Sequence, residues 1–312
     1  MANAALVVTG SLNMDFVVQV DRMPAPGETT LGSDFKMIPG GKGANQACAA
    51  GRLAREVAVK MVGRVGYDPF ADHLKASLAA AGVDVSAVMA VRKQPTGVAL
   101  IWVEKSGQNS IVVAPGANGE LSAADIESVH SAYAGARCAL FQLETPLQTV
   151  EAALRVAREA GATTILDPAP AQRLPESLLA LVDILTPNES EACLLLGWEP
   201  RRIGLEEAPE LAAALHALGP KAVILKLGDA GCYYSGPEGI ASAGGFSVTA
   251  VDTTAAGDTF NAAFAVAMSE GQAVREALRF ANAAAAISVT RLGAQASIPS
   301  RSEVEDFLLA RV

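Results

Sequence analysis

The sequence predicts an α/β fold: a mostly parallel central sheet flanked by helices, with a small β-sheet lid, all in one domain over residues 1–312. Three observations carry this. Apolar runs of strand length alternate with segments of helical period from residue 57 to residue 227, which calls for a parallel sheet covered on both faces. No Ser-, Pro- or charge-rich linker interrupts the series. Two stretches, about 14–37 and 95–115, show instead the half-exposed alternation of surface strands and form the lid.

In chain order, Leu6, Val7 and Val8 form an apolar run that stops at Thr9-Gly10-Ser11, the pattern of a buried strand meeting a turn. Asn13 and Asp15 follow at its carboxyl end, where open α/β sheets place ligands; an amide beside a carboxylate suits vicinal hydroxyls. An Asx-type turn is the competing reading. Phe16, Val18 and Val20, a Pro24-Ala25-Pro26-Gly27 corner, then Thr29, Leu31 and Phe35 read as short lid strands. Residues 98–103 and 110–113, around a turn at 105–109, read the same way.

Between the lid stretches, Pro39-Gly40-Gly41-Lys42-Gly43-Ala44-Asn45 opens a helix over 44–53. Its glycines let backbone come close to a ligand, and Asn45 adds a polar group in the first turn. The order is neither a P-loop nor G-x-G-x-x-G, and a plain glycine turn is the alternative. The alternation then runs strand 57–62, helix 69–80; strand 138–143, helix 147–159; strand 164–166, helix 178–181; strand 184–186, helix 190–196; strand 222–227. Residues 231–234, 240–243 and 246–248 alternate across Gly-rich turns, predicting an antiparallel edge. A final helix over 272–290 carries Asn282, and Ser297 and Pro299 follow its end.

With 51% hydrophobic residues in 312, the chain can bury a large core. A net charge of -9 disfavours nucleic-acid or acidic-membrane partners, which are bound by Lys and Arg clusters. Cys48, Cys138, Cys193 and Cys232 lack metal or disulfide spacing and read as reduced core residues. His73, His130 and His216 are far apart and receive no role. The start lacks a basic leader and no apolar segment suits a bilayer, so the expected location is cytoplasmic, with no membrane partner.

The chemistry centres on Val251-Asp252-Thr253-Thr254-Ala255-Ala256-Gly257-Asp258-Thr259-Phe260. Phe260, Ala263, Phe264 and Ala267 give a helical apolar face, so Gly257 and Asp258 fall in the first turn of a buried helix. Ala255, Ala256 and Gly257 barely cover the free N–H groups there, and an anion can meet the positive end of the helix dipole. A carboxylate beside an anion pocket holds the anion poorly but serves well to deprotonate a hydroxyl attacking phosphorus, so the reading is phosphoryl transfer. An Asp that merely caps the helix is the competing reading. Context favours chemistry: Glu144, Asp167, Asn188 with Glu191, and Gly228-Asp229 all end strands and converge on one sheet edge. Together they make an acidic cleft suited to hydroxyls and a magnesium ion carried by nucleotide phosphates.

Four motifs, residues 10–15, 40–45, 188–191 and 252–260, together resemble the ribokinase-type (PfkB) family of carbohydrate kinases over nearly the whole chain. The resemblance implies transfer of the ATP γ-phosphoryl group to the O5 hydroxyl of D-ribose, and a homodimer formed through the lid. It implies Asp258 as general base with the N–H groups of Ala255, Ala256 and Gly257 as anion hole. Asn13, Met14, Asp15, Gly41, Lys42, Gly43, Ala44, Asn45, Glu144 and Asp258 would line the ribose. Asn188, the loop of Lys226, Leu227, Gly228, Asp229, Ala230 and Gly231, then Gly257, Asp258 and Asn282, would meet ATP.

Glu191 would be tied to Mg2+ through water. The family's monovalent cation, K+, would sit on Asp252, Thr254, Ser288, Arg291, Gly293 and Ser297, where it helps fix the dipoles that receive the phosphate. The pattern departs at Lys226, where the family's ribose-specific members tend to have Thr. A related 2-deoxyribose kinase replaces the amide of Asn13 by an apolar side chain, so Asn13 favours ribose, whose 2-hydroxyl gives the amide a partner. Alternatives are a same-fold kinase for 2-deoxyribose, another sugar or a nucleoside, and a non-catalytic sugar or nucleotide sensor.

Overall fold

The expected alternation closes into a nine-stranded sheet in a computed structural model that describes residues 5–106 and 108–311. The first strand β1 (Ala5–Thr9) leads through a three-residue turn into lid strands β2 (Asn13–Val20) and β3 (Ser33–Gly40). Helix α1 (Lys42–Leu53), strand β4 (Ala58–Gly66), helix α2 (Pro69–Ala80) and strand β5 (Val83–Val91) return the chain to the main body. Lid strands β6 (Gly97–Glu104) and β7 (Asn109–Ala114) precede α3 (Ala123–Ser128), β8 (Ala136–Phe141) and α4 (Leu147–Glu159). Then follow β9 (Thr163–Leu166), α5 (Glu176–Leu179), β10 (Ile184–Leu185), α6 (Glu189–Leu195), α7 (Ala208–His216), β11 (Ala222–Lys226), β12 (Cys232–Gly236) and β13 (Gly239–Ala243). Helices α8 (Ala256–Ser269), α9 (Val274–Ser288), α10 (Ala294–Ser297) and α11 (Arg301–Leu309) close the chain.

The sheet order is β13-β12-β11-β10-β9-β8-β1-β4-β5, parallel from β11 to β5, with β12 and β13 the antiparallel edge. Alternate residues of β1 enter different cores: Leu6 and Val8 pack under α1, α8 and α9, whereas Val7 joins the cluster formed with α4 and α7. That period of two is what a sheet buried on both faces requires. The lid is a separate four-stranded sheet, β3-β2-β6-β7, in which β2 and β6 run parallel and the outer pairs antiparallel.

Several expectations shift. Thr29 and Leu31 lie outside the lid strands, with Leu31 almost fully exposed, and residues 246–248 form no strand. The expected 105–109 turn includes Gly107, which lies outside the described residues. Strand β5 and helices α3, α7, α10 and α11 are additional elements. All four cysteines are buried and unpaired. No helix among the described residues is long and apolar enough to cross a membrane.

Candidate active site

Helix α8 begins at the left-handed residue Ala255 (φ 61°), and no side chain caps it. A non-glycine residue in that region costs about 1–2 kcal/mol, strain of the kind that collects at functional sites. Ala255, Ala256 and Gly257 are only partly covered, whereas Asp258, one residue on, is 6% exposed. Its Oδ2 accepts from Asn45 Nδ2 at 3.0 Å and its Oδ1 from Gln46 Nε2 at 3.1 Å. Burial, resisted by Lys42 and reinforced by Asp167, raises its carboxyl to about 6. A carboxylate so poised holds a proton strongly enough to take one near neutrality.

On one side of Asp258 stand the expected hydroxyl-binding groups. Glu144 accepts from the Lys42 N–H at 2.9 Å and from Ser11 Oγ, which fixes the carboxylate against the glycine turn. Burial, with the nearby Glu144 adding to it, pushes Asp15 up to about 7. Burial alone would pull the Lys42 ammonium down, but Asp258, Asp167, Glu144 and Glu191 hold it well above the usual lysine range. Asn45 Oδ1 is buried without a hydrogen-bond partner, an acceptor left open beside the base.

The glycines let two stretches of backbone come close together. Gly41 has φ 86°, and a Cβ there would sit 2.8 Å from the Asn13 nitrogen; one on Gly43 would sit 2.6 Å from the Ser11 nitrogen. They let α1 begin at Lys42, against the turn after β1. Met14 and Ala44 are buried in the hydrophobic core, and the Ala44 N–H donates to the Ser11 carbonyl.

On the other side of the α8 terminus lies a cavity of about 650 Å³, lined by Lys226, Gly228, Asp229, Gly231, Gly257 and Asn282 among others. Asn282 Nδ2 donates to the Ala243 carbonyl at 2.9 Å, and Leu227 turns into the core. Asn188 caps α6: its side chain accepts from the Glu191 N–H at 2.8 Å, while Glu191 accepts from the Asn188 N–H at 2.8 Å. Burial raises the Glu191 carboxyl, with Lys226 opposing. Lys226 points inward rather than to solvent, its Nζ 2.9 Å from Asp167 Oδ1 and 3.4 Å from where a Cβ on Gly257 would lie.

The residues expected to hold a monovalent cation are partly drawn together. Asp252 accepts from the Thr254 N–H and the Gly293 N–H, each at 2.9 Å, and those bonds help hold its carboxyl below the usual range against burial. The Ser288 carbonyl accepts from the Arg291 N–H at 3.1 Å, and Ser297 Oγ donates to the Ala294 carbonyl. The carboxylate and carbonyl oxygens fit a hard cation, each with lone pairs to spare. Among the described residues no group of three His, Cys, Asp or Glu side chains is placed to hold a metal. Glu191, the carboxylate expected near a magnesium ion, is tied into the α6 capping box through its bond from the Asn188 N–H.

Some site residues carried no sequence signal of their own. Asn118 Nδ2 donates to Asn13 Oδ1 at 2.8 Å, and its Oδ1 accepts from the Leu12 N–H at 2.9 Å, so it sets the Asn13 rotamer. Gln46 donates through one nitrogen to Asp258 and to Asp167, both at 3.1 Å. An amide one residue after Asn45 in an alanine-rich helix was the available hint.

A family model described as pfkB family carbohydrate kinase matches residues 3–301. The chain is 44% identical over 303 residues to a protein named ribokinase from Haemophilus influenzae, covering 97% of this chain and 98% of that one. Its fold is similar to that of a ribokinase from Thermotoga maritima (TM-score 0.88, 41% identity, 98% and 99% of the two chains). It is equally similar to Arabidopsis thaliana ribokinase complexed with ribose and ATP (TM-score 0.88, 37% identity, 99% of each chain).

Proposed function

The chain belongs to the pfkB family of carbohydrate kinases, and from that premise we propose that it transfers the γ-phosphoryl group of ATP to the O5 hydroxyl of D-ribose, releasing D-ribose 5-phosphate and ADP. One observation carries the reading. The buried Asp258 stands at an uncapped helix terminus, between a cluster of hydroxyl-binding groups and a cavity with the size and lining for a nucleotide.

Asn13, Asp15, Lys42 and Glu144 hold the sugar hydroxyls, with Asn45 and the backbone of Gly41 and Gly43 completing the pocket. Asp258 takes the proton of the attacking hydroxyl as its oxygen bonds to the γ-phosphorus and the bond to the ADP oxygen breaks. The N–H groups of Ala255 and Gly257, with that of Ala256 once it leaves the Thr253 carbonyl to which it donates at 3.2 Å, meet the charge on the transferring phosphoryl oxygens, aided by the α8 dipole. Asn188, the 226–231 loop and Asn282 hold the nucleotide. Mg2+, bound to the phosphates and reached from Glu191 through water, would supply charge neutralisation. K+ on Asp252, the carbonyls of Thr254, Ser288, Arg291 and Gly293, and Ser297 would stiffen the loop before α8. The protein works in the cytoplasm as a homodimer joined through its lid.

The test is ADP release by purified protein with Mg-ATP and D-ribose, 2-deoxyribose, fructose or adenosine, each in K+ or Na+. Turnover confined to D-ribose and faster in K+ is expected. Preference for another acceptor would replace the substrate, and equal rates in the two salts would remove the cation site.

A further inference from the structure

Lys226 and Asp167 form a buried ion pair that one amide joins by hydrogen bonds to the carboxylate of Asp258. Lys226 Nζ lies 2.9 Å from Asp167 Oδ1, and the two side chains are 12% and 3% exposed. The other oxygen, Asp167 Oδ2, accepts from Gln46 Nε2 at 3.1 Å, and the same nitrogen donates to Asp258 Oδ1 at 3.1 Å. The two carboxylate oxygens orient the amide, since only its NH2 group can bond to them, and Gln46 Oε1 then accepts from Gln142 Nε2 at 2.6 Å. Two buried carboxylates tied to one nitrogen repel each other unless a cation offsets them.

We propose that Gln46, Asp167 and Lys226 act as positioning residues that set the ionisation of Asp258 for catalysis, Asp167 opposing its charge, Lys226 neutralising Asp167, and Gln46 joining that pair to the base. This rests on the reading of Asp258 as general base. The charged groups bearing on Asp258 are Lys42 from α1, Asp167 after β9, and Lys226 from β11, with Glu191 on α6 and Glu144 after β8 acting on those lysines. Burial alone would lower the Lys226 ammonium, yet Asp167, Glu191 and Asp258 hold it above the usual lysine value, so it stays charged. Lys226 and Lys42 both favour the Asp258 carboxylate; burial and then Asp167 disfavour it.

The arrangement makes the two partners of the pair act with opposite signs. Removing the cation leaves Asp167 unopposed beside Asp258; removing Asp167 leaves Lys226 shared between Glu191 and Asp258, so more of its charge bears on the base. A residue with a merely structural role would not reverse direction in this way.

The test follows the Asp258 carboxyl carbon by NMR through a pH titration of the full-length protein without ligands, the resonance being assigned by its loss in Asp258→Asn. In parallel, the acid limb of kcat is measured at saturating ribose and Mg-ATP. Lys226→Met should raise the titration midpoint by about one pH unit, Asp167→Asn should lower it by a similar amount, and the double variant should return to within about half a unit of the parent. The acid limb should move with the midpoint in each case. Shifts of the same sign, or an unchanged midpoint in Asp167→Asn, would overturn the proposal; Asp167→Asn alone decides it if Lys226→Met does not fold. Midpoints that move as expected while the limb stays fixed would support the electrostatic coupling and overturn Asp258 as base instead.

Discussion

At the scale of single residues, the pH dependence is set by carboxylates that burial has made reluctant to ionise. Asp258, raised to about 6, accepts a proton only when ionised, and Asp15, raised to about 7, is the proposed acceptor of sugar hydroxyls and accepts most strongly when ionised. Activity is therefore lost as pH falls through these values. The acid limb of kcat/KM for ribose, which reports the free enzyme, should lie at about 6–7 rather than near the ordinary carboxylate value of about 4. A limb near 4 would show that neither group governs turnover. Asp258→Asn should keep ribose and ATP binding by calorimetry and lose turnover by roughly 10²–10⁴-fold; near-parental turnover would remove the base. Asp258 was legible because three small residues precede it at a helix start. Gln46 and Asn118 were not, because their roles depend on partners 212 and 105 positions away. Lys226 was legible as a departure but not in its direction, since Asp167 comes from a different strand end.

Among the elements, the two glycine-bearing helix starts do different work, and substitution separates them. At the start of α1, a Cβ on Gly43 would meet the Ser11 nitrogen at 2.6 Å and the Gly10 carbonyl carbon at 2.7 Å, backbone that cannot turn aside. At the start of α8, a Cβ on Gly257 meets only Lys226 Nζ, at 3.4 Å. Gly43→Ala should thus lower stability in urea unfolding by about 1–3 kcal/mol, whereas Gly257→Ala should leave the unfolding midpoint near parental and lower turnover. A Gly43→Ala protein as stable as the parent would show that the turn after β1 can yield. The sequence foretold α2 and α4 to the residue, because Asp68 caps α2 ahead of Pro69 and Pro146 opens α4. It did not reveal β5, where Asp84 and Ser86 face solvent among the buried valines, nor α11, a short amphipathic helix whose start depends on a Ser300–Glu303 capping box.

Across the whole molecule, the lid presents more apolar surface than a free sheet ordinarily keeps. Phe35 and Met37 on β3 and Ile111, Val112 and Val113 on β7 are all more than 40% exposed, on the two outer strands of a four-stranded sheet. Unpaired outer strands and apolar patches of this kind are usually covered by a partner, which is why a lid-to-lid homodimer suits this sheet. The alternation of 98–103 and 110–113 made the strands legible; their partner was not, since half-exposed alternation fits a solvated sheet as well as a joined one. The variant Ile111→Lys with Val113→Lys places two charges on that edge, away from Asp258 and the nucleotide cavity. It should sediment at the mass of one chain where the parent sediments at two, with an unfolding transition intact. A parent that already sediments as one chain at micromolar concentration would leave the lid as a cover for the sugar alone. A double variant that still sediments as two would place the contact elsewhere. If the dimer is lost and the KM for ribose rises while that for ATP does not, the joined lids also shape the proposed sugar pocket, since β2 carries Asn13 and Asp15.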